Sequence, residues 1–138
     1  MSAFKTYVRP ILEYNSSIWS PSLKKDILTI ESVQRRFTKR LPGVSNMSYH
    51  ARLNLLKLES LEIRRLWSDL ILAYKLLFGL VHSSVVKSFK LKTGERTMNL
   101  RRHSYQLVEP AHKCSEVHAF FVNRIIKLWN ELPQGSKY

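Results

Sequence analysis

His112, Cys114 and His118 lie close together near the end of the chain, and Cys114 and His118 are spaced to share one helix face. Such a set raises the question of zinc, which takes four ligands, or three and a water. The nearest further donors are Glu109 and Glu116. Histidines exposed at a helix start are the simpler reading, so no metal and no cofactor is expected. Nothing in the sequence marks a base beside Cys114, so it is not read as a nucleophile. Two-metal phosphoryl transfer needs clustered carboxylates. The only aspartates, Asp26 and Asp69, are far apart, and the glutamates are scattered. No glycine-rich phosphate loop, His-Glu-x-x-His pair or nucleophile motif is present. No catalytic residue is assigned, and the chain is not expected to be an enzyme on its own.

The remaining chemistry is cationic. Lys and Arg number 23 against 10 Asp and Glu, a formal charge of +13. An excess of this size draws polyanions, either nucleic acid or an anionic membrane surface. It is not spread evenly: residues 1–45 carry +5 and residues 82–113 carry another +5. In the first region Lys24, Lys25, Arg35, Arg36, Lys39 and Arg40 fall opposite an apolar stripe. At 1.5 Å per residue they make a strip about 27 Å long, which can track phosphates. The plainer alternative is a solvated face. Arg101 and Arg102, followed by His103, are the second nucleic-acid-binding candidate. Trp19, Trp67 and Trp129 have faces on which bases can stack, but each sits on an apolar stripe, so core packing is expected.

Helices must carry most of these residues. Thr6 to Trp19 reads as helical, with Tyr7, Val8, Ile11, Leu12, Ile18 and Trp19 apolar and Pro10 starting or kinking a helix. Ser20-Pro21-Ser22 is a break, with Ser22 a candidate N-cap. Leu23 to Leu41 is the clearest helix, burying Leu23, Ile27, Ile30, Val33, Phe37 and Leu41. Leu41-Pro-Gly43 ends it. Ser48 caps a short helix through Leu56, and Ser60 a longer one from Leu61 to about Gly79. Ile63, Leu66, Trp67, Leu70, Tyr74 and Leu77 form the buried face of the longer helix, and Arg65 and Asp69 are spaced to pair. Phe89–Lys92 and Ser104–Val108 alternate briefly like strands and make either a loop or a loose hairpin. A last helix, Ser115 to Glu131, turns Val117, Phe120, Phe121, Ile125, Leu128 and Trp129 inward. The expected class is mostly α.

With 138 residues, 44% of them hydrophobic, the chain is long enough for one cored domain, or one domain and a loosely attached segment. No secretory signal and no run of about 20 apolar residues is visible. The single cysteine excludes an internal disulfide framework. A soluble intracellular protein, cytoplasmic or nuclear and without a membrane partner, is expected.

Several stretches occur together in order: Tyr7-Val-Arg-Pro-Ile-Leu-Glu-Tyr14, Trp19-Ser-Pro21, Ile30-Glu-Ser-Val-Gln-Arg-Arg36 and Leu41-Pro-Gly43. They continue through Tyr49, Leu61, Arg64-Arg65, Asp69-Leu70 and Tyr74-Lys75 to Arg102-His-Ser104, Phe120-Phe121, Arg124 and Trp129-Asn-Glu-Leu-Pro133. In order and spacing this resembles the region after the polymerase core in non-LTR retrotransposon reverse transcriptases of the jockey type. The resemblance implies that residues 1–45 correspond to the helical thumb, which grips template–primer duplex, and 46–138 to a C-terminal extension. It also implies a fragment of an RNA-directed DNA polymerase whose catalytic aspartates lie in a palm upstream. RNA or RNA–DNA duplex would be the partner. A helical protein-interaction module, docking through exposed apolar helix faces, is the alternative, as is a pseudogene product. Ile63 stands where relatives often have a charged residue. Segment 82–101 matches little, so no role is carried onto it.

Overall fold

The computed structural model describes residues 2–92, 105–109 and 120–133. These are mostly helical. A π-helical turn, Phe4–Val8, leads into α1 (Arg9–Glu13), α2 (Ser16–Trp19), α3 (Lys24–Lys39), α4 (Tyr49–Leu55) and α5 (Leu61–Leu77). A 3-10 turn, Ser84–Ser88, and α6 (Phe121–Glu131) follow. The chain forms two compact units, Met1–Ser68 and Asp69–Tyr138. No helix among the described residues is long and apolar enough to cross a membrane.

The helix ends follow from local chemistry. The Ser48 hydroxyl accepts the Ala51 N–H at the start of α4, and that of Ser60 accepts the Ile63 N–H at the start of α5. Leu23, not Ser22, precedes the first turn of α3, with no side-chain cap, and Asp26 supplies a negative charge in that turn. After α5 the Leu80 N–H reaches back to the Lys75 carbonyl at 2.8 Å while Gly79 adopts φ +69°. That left-handed residue releases the chain from the helix. The helix expected over 6–19 is interrupted, because Tyr14 is extended and Asn15 takes φ 53°. Asn tolerates that conformation better than most residues.

In the first unit Phe4, Val44, Leu53, Leu58 and Leu61 are buried, and the Phe4 ring stacks on Phe37 at 4.6 Å. The buried residues of α3 are polar: Glu31, Gln34 and Thr38. Of the expected apolar stripe, Ile27, Ile30, Phe37 and Leu41 are half-buried, whereas Leu23 and Val33 are exposed. Tyr7, Ile11, Ile18 and Trp19 are exposed as well. On α5 the buried row is Leu61, Arg65, Asp69, Ala73 and Leu76, so Ile63, Trp67 and Tyr74 face solvent. Trp129 is therefore the one tryptophan of the three that packs in a core.

The second unit gathers Ala73, Leu76, Phe89, Leu107, Ile125, Ile126 and Trp129, with Phe121 and Val122 packed against them. Phe120 is exposed and Leu128 half-buried, while Val117 lies outside the described residues. The strand-like segments meet at one antiparallel bridge, Leu91 to Leu107. Flanking it, the Lys92 N–H donates to the Gln106 carbonyl at 2.8 Å and the Val108 N–H to that of Lys90 at 2.7 Å. Asp69 takes Arg124 of α6 as its partner, at 2.8 Å, rather than Arg65.

Candidate nucleic-acid interface

Lys24, Lys25, Arg35, Arg36, Lys39 and Arg40 are all exposed. The first five belong to α3, whose 16 residues span about 24 Å, and Arg40 caps its end. At 100° per residue the six occupy an arc of about 160°. None forms an ion pair among the described residues. Arg35 alone is engaged: its guanidinium lies 4.8 Å from the centre of the Tyr49 ring, a cation–π contact.

The buried face beside the strip explains why no acid among the described residues pairs with it. Glu31 is buried, with one carboxylate oxygen accepting the Tyr49 hydroxyl and the other accepting the Leu61 N–H at 2.9 Å. Its negative charge is thus spent at the N-terminus of α5, where the helix dipole favours it. Gln34 donates through Nε2 to the Tyr49 oxygen at 3.1 Å and to the Glu59 carbonyl at 2.9 Å. Arg52 is buried too, donating to Thr38 Oγ1 at 3.3 Å and to the Met47 carbonyl. Burial and the bond to Glu31 push the Tyr49 phenol well above its ordinary range. This network locks α3 to α4 and to the start of α5, and so turns the cations outward. Tyr49 and Glu31 appear in the sequence only as pieces of the resemblance. Nothing in hydropathy marks them as its hub.

A second set of ties holds the N-terminal helices. Arg64 grips Glu13 with two bonds, the Nη2 contact at 2.9 Å, and Arg9 approaches the same carboxylate at 3.9 Å. The bond to Glu13 raises the Arg64 pKa further. Several residues that carry the resemblance therefore pair in space: Glu13 with Arg64, Glu31 with Tyr49, and Asp69 with Arg124. Each of these pairs ties one element to another.

The second cationic candidate, Arg101 and Arg102, lies outside the described residues, as do His103, His112, Cys114, Glu116 and His118. Comparison with protein-family models, with curated proteins and with solved structures found no match to this chain.

Proposed function

We propose that this chain binds nucleic acid through the outer face of α3, contacting phosphates rather than bases. The observation that carries the reading is the set of six exposed cations with no ion-pair partner among the described residues, on a helix whose Glu31 is turned inward. Holding like charges together without compensation costs stability, and a polyanion relieves it. The resemblance to the thumb region of non-LTR reverse transcriptases is what favours RNA or template–primer duplex as that polyanion. On this reading these residues act as a reverse-transcriptase thumb and C-terminal extension do, contributing grip on the template–primer duplex.

The test is fluorescence anisotropy of a labelled RNA–DNA duplex with the full chain between 50 and 200 mM salt. Phosphate binding predicts a log–log slope of about −0.9 per phosphate neutralised. Replacing Lys24, Lys25, Arg36 and Lys39 by Gln should flatten that slope by about 3 to 4. A wild-type affinity independent of salt would sink the proposal.

A second reading is favoured by Tyr7, Ile11, Tyr14 and Ile18, each more than 70% exposed. Large apolar side chains left in water mark a surface for another protein. Sedimentation of a monomer at high concentration, together with no loss of solubility, would count against it.

A further inference from the structure

Three aromatic rings of the second unit stay out of its core. Tyr74, in the last turn of α5, and Phe78, just beyond its end, have ring centres 4.6 Å apart. Phe78 meets Tyr105 edge-on at 5.1 Å. Each is close to half exposed: 49% for Tyr74, 42% for Phe78 and 50% for Tyr105. In the same unit Phe89, Leu107, Ile125 and Trp129 are buried, so a core stood ready to take such rings.

Their supports are rigid. Tyr74 lies within α5, and Phe78 directly follows the helix, its N–H donating to the Tyr74 carbonyl at 3.0 Å, before the left-handed Gly79. Tyr105 is fixed through its backbone, its carbonyl accepting the Trp129 indole N–H at 2.8 Å. Two residues on, Leu107 is clamped on both backbone groups by Asn130. A fixed, half-exposed trio of rings loses little conformational freedom when a planar ligand lands on it.

Charge decides the class of ligand. Exposed Lys90 and half-buried Lys92 lie on the segment bridged to 106–108, next to Tyr105. Lys75 stands beside Tyr74 on α5 and is also exposed. Of the acidic side chains nearby, Asp69 is buried against Arg124, while exposed Glu109 lies 3.4 Å from the Asn130 amide nitrogen. Aromatic faces set among cations suit unpaired bases joined by phosphates, since every base has a π-face and the backbone is anionic.

We infer that Tyr74, Phe78 and Tyr105 form a stacking platform for the unpaired bases of a single-stranded nucleic acid. This deepens the reading above, because it rests on the polyanion being a nucleic acid. It adds a site that duplex, with its bases already stacked, does not use.

The experiment measures the full chain against two labelled probes, an oligouridylate of about twelve nucleotides and an RNA–DNA duplex of similar length. Tyr74→Ala and Phe78→Ala should each weaken oligouridylate binding by about tenfold and leave duplex affinity and its salt slope unchanged. Phe78→Tyr, which keeps a ring, should retain affinity. Phe78→Leu, which keeps apolar bulk without a π-face, should lose it. The Leu variant preserves most of the side-chain volume, so it decides the question even if the Ala variants unfold. Equal binding by Phe78→Leu and wild type would overturn the platform, as would unchanged oligouridylate affinity in folded Ala variants. Wild-type chain that binds duplex but not oligouridylate overturns this inference alone. Failure to bind either probe overturns both readings.

Discussion

The side-chain amide of Asn130 satisfies both backbone groups of Leu107: the Leu107 N–H donates to Oδ1 at 2.8 Å, and Nδ2 donates to the Leu107 carbonyl at 2.9 Å. Leu107 is fully buried, so neither group has water as an alternative partner. One residue earlier on α6, Trp129 holds the Tyr105 carbonyl. The Trp129-Asn130 pair thus does for the 105–107 segment what a neighbouring strand would do. Replacing Asn130 by Ala should destabilise the protein by about 3 kcal/mol, because two buried backbone groups are left unmet. Asn130→Asp keeps the acceptor but loses the donor and buries a charge, so it should be no better tolerated. Chemical denaturation of both variants checks this.

Lys57 offers a change in the other direction. It takes φ 50°, ending α4 with the Leu58 N–H on the Leu53 carbonyl at 2.9 Å and its own N–H on that of Asn54 at 3.2 Å. This is the cap geometry that glycine adopts without strain. Lys57→Gly should therefore raise stability by about 0.5–1 kcal/mol, read as a higher midpoint of unfolding.

Tyr49 should respond both to mutation and to alkali. Tyr49→Phe removes the hydroxyl that Glu31 accepts and that Gln34 donates to, at a cost of about 1–3 kcal/mol. The folded pKa of this phenol lies above its unfolded value, through burial first and Glu31 second. A raised pKa adds stability that is fully present below the unfolded value, about 10, and is lost as pH climbs through the folded one. Wild-type stability should fall above about pH 10. Tyr49→Phe should show a smaller fall. Ultraviolet titration should find one late-ionising phenol in the wild type that the variant lacks.

The Arg64–Glu13 pair predicts a coupling that salt weakens. Both side chains are partly shielded, at 30% and 19% exposure, and the contact is bidentate. A double-mutant cycle with Arg64→Ala and Glu13→Ala should give a coupling of about 1 kcal/mol at low salt, smaller in 1 M salt. A coupling of zero at low salt would mean that α1 is held by packing alone.

Element positions were largely legible in the chain because local chemistry sets them. Ser48 and Ser60 cap α4 and α5, and Gly43 takes the positive φ that follows Leu41-Pro42. The faces were less legible. Hydropathy assigns the row of Ile63, Trp67 and Tyr74 to the core of α5, yet the buried row contains Arg65 and Asp69. On α3 the same rule favours Val33 over Glu31, and the outcome is again reversed. A polar residue is buried when a distant partner meets it, and periodicity holds no record of partners.

The cationic strip shows both halves of that lesson. Sequence alone determined that six cations share one side of a helix, since the 100° step between residues requires it. It also determined that the chain is strongly basic and helical. Only the tertiary structure decided that the strip has no ion-pair partner among the described residues, with Glu31 turned inward to Tyr49 and the Leu61 N–H. It alone left Tyr74, Phe78 and Tyr105 in solvent while Trp129 was drawn inside. The reason is physical: helical phase is a local property of the backbone, whereas burial depends on which surfaces arrive opposite, from residues tens of positions away.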